Sequence, residues 1–255
     1  MHSILRGLLV LTLTAAVVTG LEAPSASAVA SSAKVRSSID GRVAMVRPGP
    51  DEVVGVGHPV LVEFTAPVDD RAAVEGGITV TTSRPLNGRF TWLTDRLLEW
   101  RPKGLWPAHS TVALRVGGIK TGFTTGAAVV GVADVSAHTF TVSIDGQVVR
   151  EMPASMGKPG FETPPGTFSV LEKQRAVVFD SRTIGIPLDD PEGYLIDGEY
   201  AVRVTWGGVY VHSAPWSVGS QGSANVSHGC INLSPANAEW YFNTVHVGDP
   251  VIVQS

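Results

Sequence analysis

The sequence predicts a mainly β protein built in two parts, and three observations carry that reading. Its 28 glycines and 17 prolines punctuate short runs rich in Val and Thr, the pattern of strands and turns. No window holds a long helical period except one near the C-terminus. The charge also divides: residues 31–130 carry 12 basic and 9 acidic side chains, whereas residues 131–255 carry 6 and 13. A split of this kind fits two differently solvated bodies and argues against nucleic acid as a partner of the acidic half. With 44% hydrophobic and 16% charged residues, the chain has the composition of a globular protein.

Taken in order, residues 1–30 read as a secretory signal. Arg6 supplies a positive start, Leu8 to Val18 is apolar apart from Thr12 and Thr14, and Ala26-Ser27-Ala28 offers a small-x-small cleavage site. The run is too short and wrongly flanked for a stable membrane span, although an uncleaved anchor is the alternative. No cysteine directly follows the apolar run, so no lipoprotein anchor is expected. The expectation is a mature chain without a transmembrane segment, exported to the cell wall or periplasmic space, with residues 31–42 as a linker.

Residues 43–125 read as all β. Val60-Leu61-Val62-Glu63-Phe64 alternates and stops at Ala66-Pro67, and Ile78 to Thr82 is β-branched throughout. Asn87-Gly88 predicts a hairpin turn. Leu98 to Arg101 and Thr111 to Val116 complete a set of closely spaced strands, predicting a β-sandwich of immunoglobulin-like shape. Trp92, Trp100 and Trp106 read mainly as core.

Residues 131–255 open with a hairpin whose tip is Asp145-Gly146. The stiff turn Thr163-Pro164-Pro165-Gly166 leads into another strand, and the turn-rich stretch 176–200 reads as a lid. A strand places His212 near its C-terminal end. Ser234-Pro235 marks the start of a helix running over Ala236 to Val245, and Pro250 to Val253 closes the chain.

The chemistry concentrates in two stretches. His212-Ser213-Ala214-Pro215-Trp216 is followed, after a glycine-rich loop, by Ser227-His228-Gly229-Cys230-Ile231-Asn232. Cys230 is the sole cysteine, so no intramolecular disulfide can form, and an unpaired cysteine in an exported chain is a candidate reactive thiol. A neighbouring imidazole and the nearby helix N-terminus are expected to lower its pKa. Gly229, without a side chain, lets backbone N–H groups face a substrate carbonyl. The competing reading of a lone cysteine is a small buried hydrophobe. A zinc site is discounted, because one cysteine with scattered histidines lacks ligand spacing.

His212, fourteen residues, then Ser227-His228-Gly229-Cys230-Ile231-Asn232 resembles the signature of the L,D-transpeptidase catalytic domain, the YkuD family. The hairpin at 138–150, Met156-Gly157 and Thr163 to Phe168 are similar to that family's N-terminal half. Leu97 to Trp106 is similar to the immunoglobulin-like domain that precedes it in actinobacterial members. The resemblance implies a peptidoglycan transpeptidase that forms 3→3 cross-links between stem peptides through a cysteine thioester, with release of D-alanine. Cys230 would be the nucleophile and His212 the general acid–base, oriented by the main-chain carbonyl of Ser213. N–H groups at Gly229 and Cys230 would form the oxyanion hole, helped by the Tyr194 hydroxyl. Trp216, Ser227, His228 and Asn232 would line or brace the substrate cleft, with His228 pointing away from Cys230. No metal or organic cofactor is implied, and carbapenems are expected inhibitors. Phe179 and Ile184 stand where some relatives carry Met and Tyr. The alternatives are an L,D-carboxypeptidase, a protein-to-peptidoglycan transferase using the same acyl-enzyme, or a non-catalytic wall-binding module.

Overall fold

The computed structural model describes residues 42–255; the leader and all but the last residue of the linker lie outside the described residues. The first half holds β1 (Val43–Arg47), β2 (Val53–Val54), β3 (Val60–Phe64), helix α1 (Arg71–Gly76), β4 (Ile78–Thr81), β5 (Gly88–Trp92), β6 (Leu97–Pro102), β7 (Thr111–Val116) and β8 (Ile119–Thr125). Two four-stranded sheets, in the orders β1-β3-β6-β5 and β2-β8-β7-β4, face each other as a sandwich. The alternation seen in the sequence is the burial pattern: Val60, Val62 and Phe64 point inward from β3, and Val112, Leu114 and Val116 from β7. Trp100 and Trp106 lie in this core with ring centroids 5.2 Å apart. Trp92 packs on Phe64.

Two local expectations fail here. Asn87-Gly88 is not a hairpin tip, because β4 pairs with β7 while β5 pairs with β6 in the other sheet; the chain crosses between sheets at that point. Gly88 is required by close approach instead: a Cβ there would sit 2.0 Å from the Trp100 ring. The short helix α1 was not legible because six residues are too few for a helical period. Its start is set by Asp70, whose side chain accepts from the Ala73 N–H.

The second half holds β9 (Val129–Asp134), β10 (Thr139–Ile144), β11 (Gln147–Pro153), β12 (Gly166–Ser169), β13 (Glu172–Asp180), β14 (Leu195–Arg203), β15 (Tyr210–Ser213), β16 (Ile231–Leu233), helix α2 (Pro235–Thr244) and β17 (Pro250–Gln254). One sheet has the order β11-β10-β9-β17-β12 and the other β13-β14-β15-β16. The Asp145-Gly146 tip is a true hairpin turn, both residues having positive φ. Helix α2 begins at Pro235 as expected, but the Ser234 side chain makes no capping bond. Phe140, Met152, Met156, Ile231, Leu233 and Tyr241 fill the core. The stretch read as a lid is shorter than expected: β13 and β14 are nine-residue partners, leaving a loop over 181–194.

The halves are joined by backbone bonds. Gly55 N donates to Val247 O and Gly57 N to Gly248 O, both at 2.8 Å. At the centre of the joint the buried Asp249 carboxylate accepts from Val56 N at 3.1 Å and His246 N at 2.8 Å. Desolvation raises its pKa from 3.8 to about 6, against the pull of those two N–H groups and of Lys173. Because the folded-state value lies above the ordinary one, this carboxyl favours the folded state most below about pH 4, and that advantage is lost as the pH rises through about 6.

Asp249→Ala would leave both N–H groups buried without their acceptor. It is expected to cost about 2–4 kcal/mol, lower the melting temperature at pH 5, and lower it less at pH 8. Melting curves at the two pH values check this; an equal loss at both contradicts the assigned titration.

Candidate active site

The site rests on one parallel strand pair. Strands β15 and β16 align Val211 with Ile231 and His212 with Asn232. Cys230 immediately precedes β16, so the pairing brings the thiol and the imidazole into one cavity of about 580 Å³. That cavity is also lined by Tyr194, Trp216, Ser227, His228 and Asn232. The sequence therefore identified a set of residues that the fold gathers.

His212 is only 3% exposed. Its Nδ1 lies 2.8 Å from the Ser213 carbonyl oxygen, which can only accept. Nδ1 therefore carries the proton, and Nε2 keeps the lone pair a base needs. The Phe179 ring lies 4.4 Å from the imidazole and Trp216 lies 5.9 Å away on the same residue. Desolvation drives the His212 pKa down to about 4, with the Ser213 carbonyl and the Asn232 side chain acting in the opposite direction.

Cys230 does not follow the sequence expectation of a lowered pKa. Burial pushes its thiol up from 9.0 to about 11, only partly offset by a hydrogen bond from the Tyr210 backbone. That shift corresponds to roughly 3 kcal/mol. A helix dipole supplies about 0.3–1 kcal/mol and fades within a turn, and strand β16 intervenes before α2 begins at Pro235. Desolvation wins. The thiol lies 3.5 Å from the Gly208 carbonyl oxygen. Burial thus favours the uncharged form of each group, the thiol and the imidazole.

The loop before the thiol is pinned on several sides. Gly229 has φ +112°, a conformation open to glycine and strained for other residues. Its carbonyl accepts from the Thr163 hydroxyl at 2.9 Å, and Thr163 Oγ1 in turn accepts from Gly157 N. The Ser227 hydroxyl accepts from Gly229 N at 3.1 Å and donates to Cys230 O at 2.7 Å. The Gly229 N–H expected in an oxyanion hole is therefore already engaged. Asn232 Nδ2 donates to Ser217 Oγ at 3.1 Å, fixing its side chain beneath the site.

His228 is another residue of the cavity lining. Its ring is a brace: Nε2 lies 2.8 Å from Glu192 Oε2, and the Phe161 and Tyr194 rings pack at 4.7 and 5.0 Å. Tyr194 enters from the loop over 181–194. Desolvation, with a smaller contribution from Cys230, raises its phenol to about 12, so it remains an O–H donor at neutral pH. Trp216 is half exposed at the rim, and Tyr210 is buried beneath Phe179.

Four supporting residues were missed in the sequence. Thr163 carried a signal, being part of the double-proline turn. Phe179 was noted only as a departure from relatives. Ser217 and Glu192 carried none. Among the described residues no helix is long and apolar enough to cross a membrane.

Comparison with known proteins agrees with this geometry. The L,D-transpeptidase catalytic domain family matches residues 128–253, and the bacterial Ig domain family matches residues 18–119. L,D-transpeptidase 1 of Mycobacterium tuberculosis is 58% identical over 211 residues, covering 83% of this chain and 84% of that protein. The solved structure of an L,D-transpeptidase from Mycobacterium smegmatis is 63% identical, with a TM-score of 0.79 over 84% of this chain and 99% of the other. A related L,D-transpeptidase solved in complex with imipenem is 58% identical, with a TM-score of 0.78 over 83% of this chain and 98% of the other. The chain belongs to the L,D-transpeptidase family.

The neutral pair has a kinetic consequence. Alkylation of Cys230 by iodoacetamide follows the thiolate fraction, so its rate should still be climbing above about pH 9. A plateau reached below about pH 7.5 would mean a preformed thiolate–imidazolium pair.

Proposed function

We propose that this L,D-transpeptidase joins peptidoglycan stem peptides by 3→3 cross-links through a thioester on Cys230. The observation that carries the reading is the His212 tautomer: Nδ1 is committed to the Ser213 carbonyl, so Nε2 keeps the lone pair of a base, on a residue that lines the same cavity as Cys230.

In the first half-reaction His212 Nε2 takes the thiol proton as the sulfur attacks the carbonyl after the third residue of a tetrapeptide stem. Proton removal and attack proceed together, because the thiolate is not populated beforehand at a pKa of about 11. The tetrahedral oxyanion accepts from the Cys230 N–H and the Tyr194 hydroxyl. The Gly229 N–H joins them where Ser227 releases it. The imidazolium then gives its proton to the departing nitrogen, the C–N bond breaks, and D-alanine leaves a thioester. The low basicity of His212 makes its conjugate acid a ready proton donor in that step.

In the second half-reaction the side-chain amine at the third residue of another stem attacks the thioester. His212 takes a proton from the amine and returns it to the sulfur as the C–S bond breaks. The same intermediate offered to water would give an L,D-carboxypeptidase, and offered to a protein amine a protein-to-peptidoglycan transferase. We place the enzyme outside the cytoplasmic membrane after export, and divide it into an immunoglobulin-like domain over 43–125 and a catalytic domain over 131–255. By analogy with the relative solved with imipenem, carbapenems would acylate Cys230.

The test is incubation with a disaccharide-tetrapeptide and analysis of products by mass spectrometry. A cross-linked dimer lacking one D-alanine is expected from wild type and absent from Cys230→Ala, with His212→Ala slowed by about 10²–10⁴-fold. Tripeptide alone would replace the cross-linking reading with the carboxypeptidase. Imipenem should add its mass to wild type and leave Cys230→Ala unmodified; an adduct on the variant contradicts the assignment.

A further inference from the structure

The loop over 181–194 is knit to itself more than to the cleft it borders. Ser181, fully buried at its base, donates its hydroxyl to Ile186 O and accepts from Tyr194 N, at 2.9 and 3.0 Å. Ser181 N also donates to Tyr194 O at 3.0 Å. Near the tip, Asp190 accepts from Glu192 N through its side chain and from Gly193 N through its carbonyl, both at 2.8 Å. A segment bonded in this way moves as a unit.

Among the described residues, the polar ties from 185–193 to the rest of the cleft run through one carboxylate oxygen. Glu192 Oε2 accepts from Lys158 Nζ at 2.5 Å and lies 2.8 Å from His228 Nε2. Lys158 belongs to the turn that carries Phe161, and its ammonium lies 5.4 Å from that ring. Phe161 packs edge-on against His228, and the Tyr194 ring packs on the same imidazole at a tilt. One anion therefore holds together the loop bearing Tyr194, the turn preceding Thr163, and the histidine next to Gly229. Lys158 holds the Glu192 carboxyl below its usual range, with His228 acting the same way, so the anion is present at neutral pH. The neighbouring Asp189 and Asp190 make no bond to Lys158 or His228.

We propose that Glu192 is a positioning residue for acyl transfer: its carboxylate clasps the 181–194 loop onto Lys158 and His228, setting the Tyr194 hydroxyl over Cys230. It touches no reacting atom. Without it the loop keeps its internal structure but loses its anchor, and the oxyanion loses the Tyr194 donor while Cys230 becomes more open to solvent. This rests on the transpeptidase reading only for its activity arm.

The experiment compares wild type, Glu192→Gln and Glu192→Ala in the full exported chain, with Lys158→Met as a second way of loosening the clasp. Four quantities are measured: kcat/KM for the disaccharide-tetrapeptide, the rate of Cys230 alkylation by iodoacetamide, deuterium uptake at 185–194, and the melting temperature. Glu192→Ala should lower kcat/KM by about tenfold or more, with Gln falling between it and wild type. Alkylation should instead rise by about threefold or more, uptake should increase over the loop, and the melting temperature should hold. Lys158→Met should show the same signs more weakly. Alkylation that falls together with kcat/KM, or uptake and kcat/KM that stay at wild-type values, would overturn the proposal. Were wild type to make no product from the stem, the functional reading would fail, and the alkylation and exchange arms would still decide the clasp.

Discussion

The site depends on a buried histidine and a part-buried cysteine, each of which keeps a bond to the main chain. Burial costs charged forms most, so it presses on both groups in the direction of neutrality, lowering His212 to about 4 and raising Cys230 to about 11. What distinguishes this pair from two inert buried residues is the Ser213 carbonyl. By accepting from the Nδ1 N–H at 2.8 Å, it fixes the tautomer that leaves the lone pair on Nε2. A main-chain acceptor adds no formal charge, so it orients the ring without strongly stabilising the imidazolium. The imidazole can therefore collect a proton and surrender it again within one cycle.

The surroundings follow from that requirement. Phe179 and Trp216 cover the imidazole with aromatic surface. The turn at Gly229 is closed by hydroxyls from Thr163 and Ser227, which satisfy a buried loop with short, uncharged side chains. The strand pair that sets His212 against Asn232 is in turn backed by a core of Phe140, Ile231, Leu233 and Tyr241. The sandwich in the first half contributes no side chain to the cavity, but it is bonded directly to the turn before β17 through Asp249, Val247 and Gly248. The two halves thus meet through a defined joint.

Much of this was legible from the residues alone. Alternating strands such as Val60 to Phe64 and Thr111 to Val116 translate directly into sheet faces, and Asp145-Gly146 into a hairpin. The His212 and Cys230 stretches could be paired because their residue types need each other chemically. The failures share a cause, which is that distant contacts overrode a local rule. Asn87-Gly88 carries the strongest short turn signal of the first half, yet Gly88 is demanded by the Trp100 ring. The thiol is expected to be acidified by the neighbouring imidazole and the helix N-terminus, but burial by the folded surroundings pushes it the other way. Glu192 looks like an ordinary acidic loop residue until Lys158 and His228, 34 and 36 positions away, are placed on either side of it.

The central claim is that the resting enzyme holds an uncharged imidazole with its proton on Nδ1. Nitrogen-15 NMR of selectively labelled His212 across pH 4 to 9 addresses it directly. The account predicts one protonated Nδ1 and one bare Nε2 from neutral pH down to about pH 5, with protonation only near about pH 4. An imidazolium signal at pH 7, with both nitrogens protonated, would contradict it and restore the thiolate–imidazolium pair.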